Sequence, residues 1–232
     1  QNAEIIIIND GSTDNSEKII QNCIENFPDI KINYIKQKNA GAGHARNEGI
    51  KFSQGIYLSF LDSDDIWLNN TWKTLKPILL NEENDLIEFD AYKFHTKFNT
   101  SDQNQKIFES YFIATKNLSQ TEKLTKLFSE LKWAPWARIY HNKILENAHF
   151  LTSCRIGEDI PFTVKAYINS QKILSLNIPL IGYRFNPQGL TQNPRKSDIF
   201  DRQNIIKRLL ELSDLEDNQL KKYLIDLTCV RV

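Results

Sequence analysis

Residues 55–65 read GIYLSFLDSDD, an apolar run from Ile56 to Leu61 that ends in three carboxylates, Asp62, Asp64 and Asp65. A glycine before the run and an acidic turn after it bracket a buried strand. Carboxylates this close raise one another's pKa and oppose burial unless something neutralises them. The stretch is therefore either a solvated turn, with Asp64 and Asp65 capping a helix that begins near Trp67, or a cation site at a strand's end. An Asp-x-Asp pair suits Mg2+ or Mn2+, which bind through one or two carboxylates together with substrate phosphates.

The flanks give this strand a setting. Glu4 to Ile8 is a β-branched run of the kind buried on both faces of a sheet. After the turn Asn9 to Asp14, the capping-box spacing of Asp14 and Glu17 opens a helix with Ile19, Ile20, Cys23 and Ile24 on its apolar face. Phe27-Pro28 ends it, and Lys31 to Ile35 is a second strand. The small residues of 39–43 lead into a helix over 42–52, which Gly55 closes off from the strand just quoted. Strand, helix, strand, helix, strand predicts a Rossmann-like α/β fold with a mostly parallel sheet flanked by helices. Ligands gather at the carboxyl ends of such strands, so Asp10 and Asp62 are expected to face one crevice.

The second half is more mixed. Residues 85–95 and 106–112 read as strands, an antiparallel pair. Leu124, Leu127, Phe128 and Leu131 mark a helix, and Trp133-Ala134-Pro135-Trp136 an aromatic loop before a short strand near Ile139-Tyr140. Gly157 to Pro161 opens another helix, residues 173–185 are extended but interrupted by Pro179, and amphipathic helices divided near Ser213-Asp214 fill 197–229. This predicts one α/β domain with a C-terminal helical appendage.

The totals exclude several classes. The chain has 232 residues, is 41% hydrophobic, and balances 29 basic against 29 acidic side chains, which argues against a nucleic-acid partner held by bulk charge. No run approaches the roughly 18 apolar residues of a membrane span. Cys23, Cys154 and Cys229 lack metal-ligand spacing and read as reduced thiols of a cytoplasmic protein. The chain lacks methionine and opens almost directly on a strand, as expected of a fragment whose first segment is missing.

Three strand-end loops carry ligand chemistry. Asp10 can accept from a nucleotide base N–H or simply shape a turn, and Arg46, in NAGAGHARN (39–47), is placed to meet a phosphate. The third loop is the acidic one. Trp133, Trp136, Tyr140 and Tyr183 can stack on sugars, although packing explains at least two of them. His44, His95, His141 and His149 have no metal spacing, and Arg184 and Thr191 can reach phosphate or acceptor.

IIIINDGSTDNS, QKNAGAGHARNEGI and GIYLSFLDSDD, in this order and spacing, resemble the nucleotide-binding half of family 2 glycosyltransferases. PWARIY (135–140), GEDIPF (157–162) and YRFNPQGLTQ (183–192) continue the resemblance more loosely, with Asn9 where the family has Asp and Arg138 where Lys is frequent. The resemblance implies a GT-A fold over 1–195, with a nucleotide-binding half about 1–95, an acceptor half about 96–195, and a helical segment over 196–232. It implies an inverting enzyme that takes a sugar from a nucleotide-sugar, a UDP-sugar first, to a glycan or lipid-linked acceptor, with Mn2+ or Mg2+ as cofactor. Asp10, Arg46 and Asp62 would bind nucleotide, Asp64 and Asp62 metal, with Asp65 supporting their loop or capping the next helix, and Asp159 would be the general base with Glu158 beside it. Without catalysis, that acidic pair is still favoured at a helix N-terminus. The setting implied is bacterial surface polysaccharide or lipooligosaccharide synthesis at the inner face of the membrane. The alternatives are an inactive nucleotide- or glycan-binding module and a sugar-nucleotide pyrophosphorylase, although the glycine-rich triphosphate loop of the latter is absent. Lys207, Arg208, Lys221 and Lys222 flank apolar stripes, a pattern that serves packing, a homodimer or peripheral membrane attachment.

Overall fold

The computed structural model of the protein describes residues 3–99, 106–107, 115–116, 118–130 and 132–212. The first half alternates as the sequence predicts: β1 (Glu4–Asp10), α1 (Ser16–Asn26), β2 (Lys31–Gln37), α2 (Ala42–Phe52) and β3 (Tyr57–Ser59). β1 and β2 pair in parallel, Ile6 opposite Asn33. Among the described residues β1 has no second partner strand, and Ile5 is 45% exposed, so the run is not buried on both faces. The capping box does not form either. Asp14 accepts the Ser16 N–H at 2.9 Å, while Glu17 turns to Lys36 at 2.6 Å. Of the expected apolar face of α1, Ile20 and Ile24 are half-buried and Ile19 and Cys23 are exposed.

The remaining elements are β4 (Ile66–Trp67), α3 (Thr71–Leu80), β5 (Leu86–Phe94), β6 (Lys106–Ile107), β7 (Thr115–Lys116), α4 (Gln120–Glu130), β8 (Arg138–His141), α5 (Asp159–Asn169), β9 (Lys172–Arg184) and α6 (Asp198–Leu212). Trp67 therefore lies in a strand paired with Ile181, and the helix expected to begin there starts at Thr71. The α/β class holds, but the pairing is more antiparallel than expected. A second sheet runs β3-β8-β5-β9-β4 with β6 on β5 and β7 on β9, and only β5–β9 is parallel within it. The antiparallel partners are far apart in sequence, β3 meeting β8 and β4 meeting β9, so local strand-helix alternation does not reveal them. β5 and β6 do pair antiparallel, Ala91 opposite Ile107, while 108–112, Leu131 and 213–232 lie outside the described residues. Pro179 has no N–H to give the ladder, and the β5–β9 register shifts on either side of its partner Asp90, leaving β9 continuous but bulged.

The alternation of β5 sorts two cores. Ile87, Phe89 and Ala91 face one way, against Leu75, Trp136, Ile139 and Leu180. Leu86 faces the other, where Leu124, Leu127 and Phe128 of α4, Phe162, Val164 and Tyr167 of α5, and Ile205 and Leu209 of α6 meet. Each fully buried Leu, Ile or Phe contributes about 1.5–3 kcal/mol. Glu88 shares that second face, buried, and is matched by Lys126 at 2.8 Å, Ser175 at 2.7 Å, Arg138 and the Tyr167 hydroxyl.

Candidate functional site

At the end of β1 the buried Asn9 accepts from Ser12 N–H and donates to the Tyr34 hydroxyl, both at 2.9 Å. Gly11 follows with φ +72°, and a Cβ there would lie 2.7 Å from the Asn39 nitrogen, so the first two loops touch only because this residue is glycine. Asp10 ties them together. Its Oδ1 accepts from Gln37 Nε2 at 2.7 Å and Ala40 N–H at 2.9 Å, and its Oδ2 from Gly41 N–H at 2.8 Å. Burial works against this carboxylate, but the three bonds outweigh it and hold its pKa below the usual range. A carboxylate has about four lone-pair sites, so one stays open to a base N–H. His44, in the first turn of α2, lies 3.1 Å from Gln37 Nε2.

The acidic turn answers the question its sequence poses, because its three carboxylates part company. Phe60 anchors the strand by edge contacts to Tyr140, Phe150 and Phe162. The chain then turns, Asp65 N–H donating to the Asp62 carbonyl at 3.0 Å. Asp62 meets Arg46 at 2.9 Å, and Asp64 is exposed. Asp65, 7% exposed, does support the loop as the resemblance implied: its Oδ1 accepts the Arg184 N–H of β9 at 2.8 Å. The Arg184 guanidinium donates to the carbonyls of Asp64 and Thr96, at 2.9 and 2.7 Å, and so braces the turn. Burial, then Asp62 and Asp64, push the Asp65 pKa up to about 7, and its Oδ2 is buried without a hydrogen-bond partner.

Glu158 and Asp159 stand at the N-terminus of α5. Glu158 accepts from Arg46 Nη1 at 2.6 Å, so one guanidinium joins the acid pair to Asp62 from a distant part of the chain. Burial opposes the charge on Arg46, but Asp62 and Glu158 outweigh it and raise its pKa further. Asp159 is pushed up to about 7 by burial and by Glu158, against the pull of Arg46. Arg46 thus brings Asp62, Glu158 and Asp159 together, while Asp10 is bonded to the neighbouring loop.

Among the described residues no group of three or more His, Cys, Asp or Glu side chains is placed to hold a metal ion. Asp64 is exposed and Asp62 lies at the same turn, a pair of carboxylates that could hold Mg2+ or Mn2+, with the orphaned Asp65 Oδ2 buried beside them. The aromatic candidates serve packing: Trp136 stacks on Tyr183 at 5.4 Å, Trp133 meets Phe128 at 5.2 Å, and Tyr140 is fully buried.

Sequence reasoning missed two residues of α2. Asn47 donates to the Phe150 carbonyl and accepts from the Phe150 N–H, both at 2.9 Å. Gly43 packs so tightly that an added Cβ would lie 2.2 Å from the Leu151 carbonyl oxygen. Together they bring the stretch leading to Glu158 against Arg46. The available signal was an amide within a helix, which competes with the backbone unless it finds a partner.

The model of the family described as Glycosyl transferase family 2 matches residues 1–150. The chain is 31% identical over 196 residues to the uncharacterized glycosyltransferase EpsJ of Bacillus subtilis (strain 168), covering 83% of this chain and 56% of that protein. It is 31% identical over 200 residues to the glycosyltransferase GlyA of Streptococcus pneumoniae serotype 4, covering 83% of this chain and 28% of that protein. S. aureus TarS 1-349, solved in complex with UDP-GlcNAc, superposes with a TM-score of 0.74 at 19% identity, over 96% of this chain and 62% of that one. The fold is thus the GT-A fold of nucleotide-sugar-dependent transferases. The chain belongs to glycosyltransferase family 2. It spans 56% and 28% of the two curated relatives, so it corresponds to one part of each. No helix among the described residues is long and apolar enough to cross a membrane.

Proposed function

We propose that the protein is an inverting glycosyltransferase that moves a sugar from a UDP-sugar to a hydroxyl of a glycan or lipid-linked acceptor. The observation that carries this is the Arg46 bridge, which sets Asp159 and Glu158 beside the strand-end carboxylates instead of elsewhere on the surface. Asp159 takes the acceptor hydroxyl's proton as that oxygen attacks the anomeric carbon, and the bond to the diphosphate breaks on the opposite face. A carboxyl with a pKa of about 7 suits this task, because a base works best when tuned near the working pH. Glu158 holds Arg46, whose charge faces the departing diphosphate. Asp10 offers its remaining lone pair to the base. Held by Asp64 and Asp62, a Mg2+ or Mn2+ ion would neutralise charge on the diphosphate. The setting that fits is assembly of a bacterial surface polysaccharide.

The test is thermal unfolding with UDP, with and without Mn2+, for the wild type and Asp64→Ala. A ligand at about 100 times its Kd adds roughly 2.7 kcal/mol, a rise of about 5–10 °C at this chain length. The expected result is a Mn2+-dependent rise in the wild type that Asp64→Ala abolishes. A rise indifferent to Mn2+ would remove the metal from the proposal, and no response to any nucleoside diphosphate would remove the donor.

A further inference from the structure

α6 does more than close the core. The loop Arg155-Ile156-Gly157, which delivers Glu158 and Asp159 to the site, is gripped by this one helix at every residue. The N–H groups of Arg155 and Ile156 both donate to Asp201 Oδ2, at 2.9 and 3.2 Å. The Arg155 guanidinium meets both oxygens of Asp198, through Nε at 3.0 Å and Nη2 at 2.5 Å. Asp198 itself is buried and accepts the Arg195 N–H at 2.6 Å. Gly157 has φ +80°, and a Cβ on it would lie 2.7 Å from Cδ1 of Ile205. Ile205 and Leu209 seat the helix in the main core beside α5. On the far side of the loop, Leu151 N–H donates to the Glu158 carbonyl at 3.0 Å and Arg46 holds the Glu158 carboxylate.

We infer that Asp201, with Asp198, is a positioning residue for the Glu158–Asp159 pair, so that α6 sets where the proposed base stands. The inference rests on Asp159 being that base. The physical argument is reach. A general base acts only within about 2.6–3.2 Å of the proton it takes, and a misplacement of about 1 Å costs on the order of a hundredfold. Two backbone N–H groups on one carboxylate oxygen fix the height of the loop, and Arg155 on Asp198 fixes its rotation.

The experiment compares Asp201→Ala, Asp201→Asn, Ile205→Val and Asp159→Asn with the wild type. The readouts are hydrogen exchange, UDP binding, and UDP release from UDP-GlcNAc. In Asp201→Ala the amides of 154–160 should exchange faster, UDP should bind as before, and kcat should fall about 10- to 100-fold with KM for the donor within about twofold. Asp201→Asn keeps an oxygen that can accept both N–H groups and should restore exchange and kcat together. Ile205→Val removes one methyl group and should loosen the same amides to a smaller extent, which keeps the test sound if Asp201→Ala fails to fold. Unchanged exchange at 154–160 in both Asp201→Ala and Ile205→Val would overturn the inference, as would faster exchange with undiminished kcat. If Asp159→Asn keeps its turnover, the base assignment falls instead, whatever the exchange shows.

Discussion

Two arginines in this molecule each meet a carboxylate far along the chain, and their surroundings differ in the balance of charge. Arg138 is 1% exposed and reaches Glu88 in the core, where Lys126, Ser175 and Tyr167 complete the set. Burial works against the Glu88 carboxylate, yet Arg138 and Lys126 hold its pKa at about 2. Arg46 bridges Asp62 and Glu158 beside the acidic turn, where Asp64, Asp65 and Asp159 add further acid, and two of these are raised to about 7. The first cluster is matched and locks structure. The second carries surplus acid, and a surplus is what binds a cation or holds a proton at neutral pH.

The comparison can be broken most severely at each centre in turn. Asp159→Asn should lower donor turnover by about a thousandfold, within the range of a lost general base, while UDP binding measured by calorimetry stays the same. Arg138→Met should take from the buried Glu88 its arginine while Lys126 stays at 2.8 Å, at about 3 kcal/mol of stability, visible as a lower midpoint in urea. A loss below about 1 kcal/mol would show that the core network is not the matched set described.

Acidity sharpens the contrast, because the two clusters respond in opposite senses. Asp159, at about 7 when folded against an ordinary 3.8, binds more protons folded than unfolded between those values. Its stabilising contribution is present below about pH 4 and is lost as pH rises through 7. Glu88, at about 2 against 4.5, contributes above pH 4.5 and loses that contribution as pH falls through 2. Unfolding of Asp159→Asn beside the wild type should show a gap in favour of the variant that widens from pH 5 to 8. Turnover by the wild type should rise over the same range. The smallest expected effect belongs to Asn47→Ala, which removes two hydrogen bonds and should lose about 1–3 kcal/mol, read from the urea midpoint.

The alternation of the first half was legible because isoleucine runs, glycines and Phe27-Pro28 are local signals. The strands β4 and β7 were not, since two residues carry no period and exist only through their partners. The acidic loop and the acid pair were visible as residues, but their meeting was not. It depends on Arg46 reaching a carboxylate 112 positions away, a fact of packing that no spacing encodes. Asp65 illustrates the same limit. Its letter suggested a helix cap, and its role came from the end of β9 lying over it. The grip of Asp198 and Asp201 on the 155–157 loop was likewise hidden, because two aspartates opening a helix look like ordinary dipole partners.

Asn47 recognises Phe150 through main-chain atoms alone, a side-chain amide standing in for a neighbouring strand. Such a tether is blind to the identity of the residue it holds. Position 150 can therefore drift among side chains that suit Arg46 and the core, while position 47 has almost no substitute, since few side chains offer a donor and an acceptor side by side. Variation and constraint are thereby divided between two residues that share one pair of bonds.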